Sequence, residues 1–328
     1  MAADPLVAVS YPADDEFAQI NTRVLDDSAR VAFLHGRPDG EVCEVLGRAD
    51  VLLGWHLGDE LPADALRDSP RLRFVQLLSA GADSVDYAAL PARLMLAANV
   101  GAYAPPMAEY VMAVTLALAR RLPQRHAEMA RGEFGMWKPV LTLDGAVCGI
   151  LGFGGIGKAT GRMMRAFGAR IHAVNTSGRT GEPADFTGTL ADLDQVLAAA
   201  DVLVIALPLT RATRGLIGAR ELALMKPAAI LVNVGRAAIV DERALYEHLR
   251  DQPEFCAGID TWWHEPGPGT AFSTRYPFFD LPNMIGSPHN SGVTDGALQV
   301  AARMAAENVR RFLRGEAVTG VVRREEYL

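Results

Sequence analysis

The hexapeptide Gly152-Phe153-Gly154-Gly155-Ile156-Gly157 limits what this chain can fold into more than any other segment. It follows an apolar run, Cys148 to Leu151, that reads as a buried strand, and it opens a helical stretch running toward Phe167. In that setting Gly152 permits a tight turn, Gly154 lets backbone approach a pyrophosphate, and Gly157 lets helix and strand pack closely. The amides of Gly155, Ile156 and Gly157 then face an anion from the helix N-terminus. The competing reading is a glycine-rich βα turn without a ligand. The flanking strand and helix favour a dinucleotide site.

The next strand should end on the residue that meets the adenosine ribose, roughly 20 positions on. Here it ends on Asn175. An acid would hold the ribose hydroxyls and repel a 2′-phosphate. Asn175 does not repel, and Thr176, Ser177 and Arg179 are suited to holding that phosphate. NAD and NADP both remain open, with a lean toward NADP(H); the alternative for Arg179 is a solvated loop residue.

The rest of the chain fits the sheet that this loop requires. With 328 residues it exceeds the size of one hydrophobic core, so two domains are expected. Short apolar runs recur at Leu6 to Val9, Val31 to Leu34, Val51 to Trp55, Phe74 to Leu78 and Leu94 to Ala98, with helical segments such as Glu41 to Gly47 and Pro62 to Asp68 between them. A second series comprises Val147 to Leu151, Arg170 to Val174, Val202 to Ala206, Ile230 to Val234, Cys256 to Ile259 and Met284 to Ile285. Such β/α alternation implies parallel sheets with helices on their faces. Between the series, Pro105 to Arg121 reads as a helix apolar on most faces, expected between domains or at a subunit interface. Asp295 to Gly315 reads as a last long helix stopped by Gly315.

Charge and cysteine usage narrow the partners. A net charge of -7 gives no basic field for phosphate backbones or anionic lipid, so neither nucleic acid nor membrane is expected. Cys43, Cys148 and Cys256 are scattered in apolar stretches and read as buried thiols, with no metal site. Met1 to Ser10 does not resemble a signal peptide, and Val111 to Ala119 is too short to span a bilayer. A cytoplasmic location is the expectation.

Three segments place polar groups where strands end, which in open α/β sheets is where ligands gather. They are Asn233-Val234-Gly235-Arg236, Asp260 with Trp262-Trp263-His264-Glu265-Pro266, and Ser287-Pro288-His289-Asn290. Reduction of a keto acid needs a cation for the carboxylate and carbonyl, a proton donor and a hydride source. Arg236 suits the first because its planar guanidinium grips a carboxylate through two parallel bonds. His289 suits the second, and a carboxylate such as Glu265 would orient its ring and favour the protonated form. Taken alone, each is an ordinary strand-end or loop residue; the joint pattern is what points to chemistry. The other histidines, His264 among them, read as structural or solvated, and Trp137, Trp262 and Trp263 as packing groups. Tyr103 and Met107 fit either substrate contact or core, and the aromatic segment Gly267 to Asp280 reads as a pocket wall.

These motifs, in order, resemble the D-isomer-specific 2-hydroxyacid dehydrogenase family over nearly the full length. The matching stretches are Ser79 to Asp83, Asn99-Val100 with Ala108-Glu109, the glycine loop, Leu207-Pro208-Leu209-Thr210 with Thr213, Asn233 to Arg236, Asp260 with Glu265-Pro266, and Pro288-His289. The resemblance implies an α/β chain of two Rossmann-like doubly wound parallel-sheet domains. A flavodoxin-like substrate domain, 1–101 with 290–328, would flank an inserted NAD(P)-binding domain, 102–289. It implies that Arg236 binds substrate, that His289 is the acid/base group with Glu265 as partner, and that Asp260 meets the nicotinamide carboxamide. Leu207, Pro208, Thr213 and Val234 would line the cofactor, and the amides of Ala80 and Gly81 would hold the substrate carboxylate. The expected enzyme is an NAD(P)-dependent dehydrogenase of small 2-hydroxy acids, glyoxylate/hydroxypyruvate reductase-like and homodimeric. Two departures stand out: Ala237 follows Arg236 where many members have glycine, and Asn175 replaces the usual acid. One alternative is a formate- or phosphite-type dehydrogenase, disfavoured because that branch commonly has glutamine where Glu265 stands. The other is a cofactor-sensing protein without turnover, which would not need the trio intact.

Overall fold

The computed structural model describes residues 4–267 and 269–328. Met1 to Ala3, the start of the segment read for a leader, and Pro268 in the aromatic segment lie outside the described residues. The chain divides into two compact units, one formed by the chain up to Tyr103 together with Thr294–Leu328, the other by Ala104–Val293.

The first unit carries β1 (Leu6–Val9), α1 (Asp15–Leu25), β2 (Arg30–Phe33), α2 (Asp39–Arg48), β3 (Val51–Gly54), α3 (Leu57–Glu60), β4 (Phe74–Leu77) and β5 (Met95–Ala97). Its parallel sheet has the order β2-β1-β3-β4-β5, the flavodoxin-like arrangement.

The second unit carries α4 (Ala104–Ala119), α5 (Leu122–Ala130), β6 (Val147–Leu151), α6 (Gly155–Ala166), β7 (Arg170–Val174), β8 (Phe186–Gly188), α7 (Leu193–Ala199), β9 (Val202–Ile205), α8 (Ala219–Leu224), β10 (Ile230–Asn233), α9 (Glu242–Asp251), β11 (Cys256–Ile259) and β12 (Met284–Gly286). Its seven strands are ordered β12-β11-β10-β9-β6-β7-β8 and are all parallel. The order reverses between β6 and β9, the switch point at which α/β sheets open a crevice. Strands β6, β9, β10 and β11 are buried along their whole length, which is why their sequences run apolar without alternation.

The last helix, α10 (Ala297–Leu313), returns to the first sheet. Ala301, Ala302, Ala305 and Ala306 are fully buried there, Phe312 stacks on Phe74 at 4.6 Å, and Asn308 Nδ2 donates to Gln76 Oε1 at 2.6 Å. Gly315, at φ 70°, ends the helix with a left-handed turn.

The compact units divide at Tyr103/Ala104 and Val293/Thr294, within a few residues of the expected breaks at 101/102 and 289/290. Tyr103 is tied to the first unit by its hydroxyl, which donates to the Leu78 carbonyl, while Asn290 and Ser291 are held in the second by Asp260. Two sequence expectations for the first unit need correction. Pro62 to Asp68 is a run of turns rather than a helix, because Asp64 adopts a left-handed φ of 64°, and the short α3 lies just before it. Cys43 is exposed, since α2 buries Val42, Val45 and Leu46 and turns the thiol outward. Helix α4 packs on α6 and on β10 to β12 of its own sheet. The short edge strand β8 was not anticipated from the sequence.

Candidate active site

The glycine loop is shaped by close backbone approaches. At φ 94° Gly152 takes a conformation that side chains resist, and a Cβ there would lie 2.5 Å from the Ala206 carbonyl oxygen. A Cβ on Gly157 would strike the Gly152 carbonyl oxygen. On Gly154 a Cβ would point into open space, where a pyrophosphate can approach the backbone. No side chain caps α6, so its first amides remain directed at that space. These residues fit a dinucleotide.

The other cofactor candidates gather along the same edge. Thr213 is buried; its hydroxyl donates to the Pro208 carbonyl at 2.7 Å and accepts from the Thr210 amide at 2.8 Å, so it shapes the Leu207–Thr213 loop from within. Gly235 is pressed against that loop, 2.7 Å from the Leu207 carbonyl oxygen to an added Cβ, and the amide of buried Val234 donates to Ile205. Asn175 closes a small turn: its Oδ1 accepts from the Ser177 amide at 3.0 Å and its Nδ2 donates to the Arg179 carbonyl at 2.8 Å. Thr176, Ser177 and Arg179 are exposed on this turn.

The proposed chemical groups meet at the ends of β10, β11 and β12. Asn233 clamps the turn after β10, donating to the Arg236 carbonyl at 3.0 Å and accepting from the Gly235 amide at 3.0 Å. Glu265 Oε2 lies 2.9 Å from His289 Nδ1, and its Oε1 accepts from the Trp262 amide at 2.9 Å. Burial acts to raise the Glu265 carboxyl, but the His289 and Trp262 hydrogen bonds and the charges of His289 and Arg236 outweigh it and hold it below the usual carboxylate value. His289 itself has a left-handed φ of 52°, a conformation that costs a non-glycine residue about 1–2 kcal/mol.

That conformation is enforced by Asp260, at the end of β11. Its carbonyl accepts from the His289 amide at 2.8 Å, and its carboxylate accepts from Ser287 Oγ at 2.5 Å, the Asn290 amide at 3.0 Å and the Ser291 amide at 3.2 Å. The residue is 0% exposed. The resemblance implies that Asp260 meets the nicotinamide carboxamide; in the structure its carboxylate also accepts from the loop that carries His289.

Beside the pair lies a pocket of about 380 Å³ whose wall includes Trp262, Phe272, Phe279 and Pro288. Two aromatic residues of the 267–280 segment thus border it, while Phe278 is core and Tyr276 stacks on Tyr246 at 5.1 Å. Trp262 both packs and donates, its Nε1 reaching the Ser287 carbonyl at 2.8 Å. A looser cluster fastens the same segment to α9: Glu242 accepts from the Arg275 amide at 3.2 Å, with His264 Nε2 at 4.0 Å and Arg275 Nε at 3.9 Å. Ala80 and Gly81 belong to the first unit, just beyond β4, where Ser79 Oγ donates to the Gly81 carbonyl at 2.8 Å. Among the described residues no cluster of side chains could hold a metal ion.

Residues 112–291 match the family described as D-isomer specific 2-hydroxyacid dehydrogenase, NAD binding domain. The chain belongs to the D-isomer-specific 2-hydroxyacid dehydrogenase family. Its second unit has the fold of an NAD(P)-dependent hydride-transfer oxidoreductase, with NAD(P) as the cofactor. The chain is 31% identical to D-3-phosphoglycerate dehydrogenase of Methanocaldococcus jannaschii, over 92% of this chain and 56% of that protein. It therefore spans little more than half of that relative. With the glyoxylate reductase of Aeropyrum pernix it shares 34% identity over 82% of each. A solved D-isomer specific 2-hydroxyacid dehydrogenase of Xanthobacter autotrophicus, in complex with NADPH and MES, superimposes with a TM-score of 0.80 at 25% identity, over 99% of this chain and 100% of that one.

Sequence reasoning placed Ser287 and Asp260 at strand ends but did not see that they bond to each other, and it did not single out Tyr110. The one available signal was the polar pair Ser287 and Asn290 flanking His289; nothing in the sequence linked Tyr110, 177 residues from Ser287, to that loop. Trp137, read as a packing group, is 89% exposed.

Proposed function

We propose that this dehydrogenase reduces a small 2-keto acid to the 2-hydroxy acid and runs the reverse reaction, with His289 as acid/base group. The observation that carries the reading is the 2.9 Å pairing of His289 Nδ1 with Glu265 at the carboxyl edge of the sheet that bears the glycine loop. Bound NAD(P) supplies or accepts the hydride. With Nδ1 directed at Glu265, Nε2 is left to give a proton to the carbonyl oxygen in reduction and to recover it in oxidation. Arg236 holds the carboxylate and polarises the carbonyl. The relatives named as glyoxylate and glyoxylate/hydroxypyruvate reductases favour glyoxylate or hydroxypyruvate as substrate.

NADP(H) is the favoured cofactor because Asn175 brings no charge against a 2′-phosphate and Ser177, Thr176 and Arg179 are exposed around it. Three free cysteines and the cofactor fit a cytoplasmic location; among the described residues no helix is long and apolar enough to cross a membrane. The active form is a homodimer. Leu122, Met129, Phe134, Met136 and Trp137 form an exposed apolar stretch whose charges pair locally, Arg131 with Glu133 and Lys138 with Glu128, which suits a second copy of the same surface. Sedimentation of Trp137→Glu should give a monomer where the parent gives a dimer; a monomeric parent removes this assignment.

The deciding experiment follows nicotinamide absorbance with NADH and NADPH against glyoxylate, hydroxypyruvate, pyruvate and larger 2-keto acids. Turnover with a keto acid is the expected result. Tight cofactor binding with no turnover on any of them replaces the enzyme by a cofactor sensor.

A further inference from the structure

The hydroxyl of Tyr110, on α4, lies 2.5 Å from Ser287 Oγ, and Ser287 Oγ donates to Asp260 Oδ1 at 2.5 Å. Because the single serine proton is committed to the carboxylate, the tyrosine hydroxyl must donate the first bond. A directed chain therefore runs from α4 through the end of β12 to the end of β11. It terminates on the residue that holds the backbone of His289, Asn290 and Ser291. Burial pushes the Tyr110 phenol up to about 12; the Ser287 hydrogen bond lowers it and the Asp260 charge raises it further. The phenol stays a donor throughout the neutral range.

We propose that Tyr110, acting through Ser287 and Asp260, is a positioning residue that fixes the left-handed backbone of His289 and so aims its ring at Glu265. Tyr110 works only through the loop. Asp260 has a shape to impose but is itself a carboxylate with two rotatable bonds, and Ser287 Oγ with Tyr110 behind it selects one orientation. Without the phenol, Ser287 keeps its bond to Asp260 but loses the donor that sets its own rotamer. The His289 ring would then sample positions away from Glu265.

The proposal rests on His289 being the acid/base group, and the test separates the two claims. Steady-state kinetics of keto-acid reduction would compare the parent with His289→Ala, Tyr110→Phe, Ser287→Ala, the double variant Tyr110→Phe/Ser287→Ala, and Ser287→Thr. The expected pattern is a loss of kcat of roughly tenfold in Tyr110→Phe and Ser287→Ala, with cofactor KM within about twofold of the parent. The double variant should be no slower than Ser287→Ala, and Ser287→Thr should recover most of the rate. In ring-labelled protein without cofactor, the NMR signal lost in His289→Ala should be single in the parent and broadened or multiple in Tyr110→Phe. A parent-like kcat with a sharp single His289 signal in Tyr110→Phe overturns the inference, as do multiplying effects of Tyr110→Phe and Ser287→Ala. Retained turnover in His289→Ala overturns the acid/base reading instead, whereas the NMR comparison still reports whether Tyr110 positions the ring.

Discussion

Gly152 and His289 both lie just beyond strands of one parallel sheet, yet their loops are specified by opposite means. The loop after β6 owes its shape to missing side chains: Gly152 and Gly157 let backbone approach backbone, and the neighbours that forbid a Cβ include the loop's own carbonyl. The loop after β12 owes its shape to groups that reach it from elsewhere. Asp260, 27 residues away from Ser287, and Tyr110, 177 residues away, hold a histidine in a backbone conformation that histidine does not favour by itself. A phosphate-holding turn can be encoded locally because it presents only amides. A group that must deliver a proton needs its ring aimed, and aiming requires partners fixed by the fold.

The contrast can be broken most severely at His289. His289→Ala should lower kcat by about 10²–10⁴-fold while cofactor binding survives, since the dinucleotide loop is independent of it. Near-normal kcat in steady-state assays would sink the acid/base role. At the other loop, Gly157→Ala should destabilise the fold by about 1–3 kcal/mol, because its Cβ meets a backbone carbonyl that cannot yield cheaply. Gly154→Ala should leave the melting temperature unchanged and weaken only the cofactor, because its Cβ meets nothing in the protein. Equal effects of the two on thermal melting would contradict the steric account.

A smaller effect is expected at Asn175. Asn175→Asp should move the ratio of kcat/KM for NADPH over NADH about tenfold toward NADH, ~1.4 kcal/mol of charge repulsion. The acid also loses the donor to the Arg179 carbonyl, so Asn175→Ala serves as the control for the loosened turn. An unchanged ratio removes residue 175 from cofactor choice. The smallest effect concerns acid. The Glu265 carboxyl is held below its usual value of 4.5, so the stabilisation from its pairing is present above that pH and is lost as pH falls through the lowered value. Solvent screens it, with the Glu265 side chain 35% exposed. Thermal melts of the parent and Glu265→Gln should therefore converge in acid; a gap that widens below pH 4.5 would reverse the sign.

Much of the fold was legible because it rests on local rules. Uninterrupted apolar runs such as Val202 to Ala206 announce strands buried on both faces, and the spacing of three glycines announces the turn that follows β6. Where local cues misled, a long-range partner or a backbone exception was responsible. Pro62 to Asp68 carries helix-forming residues, but Asp64 breaks it with a positive φ; Cys43 sits among apolar neighbours, but on the outer face of α2.

The sequence by itself determined the β/α alternation, the dinucleotide turn and the presence of Arg236, Glu265 and His289 just past strand ends, because steric limits and side-chain chemistry act within a few residues. Only the tertiary structure decided that His289 and Glu265 meet at 2.9 Å, that Asp260 accepts from the loop carrying His289, and that Tyr110 stands behind Ser287. Those contacts join strands and a helix distant in the chain, and a directional hydrogen bond exists only once the sheet has fixed both of its ends.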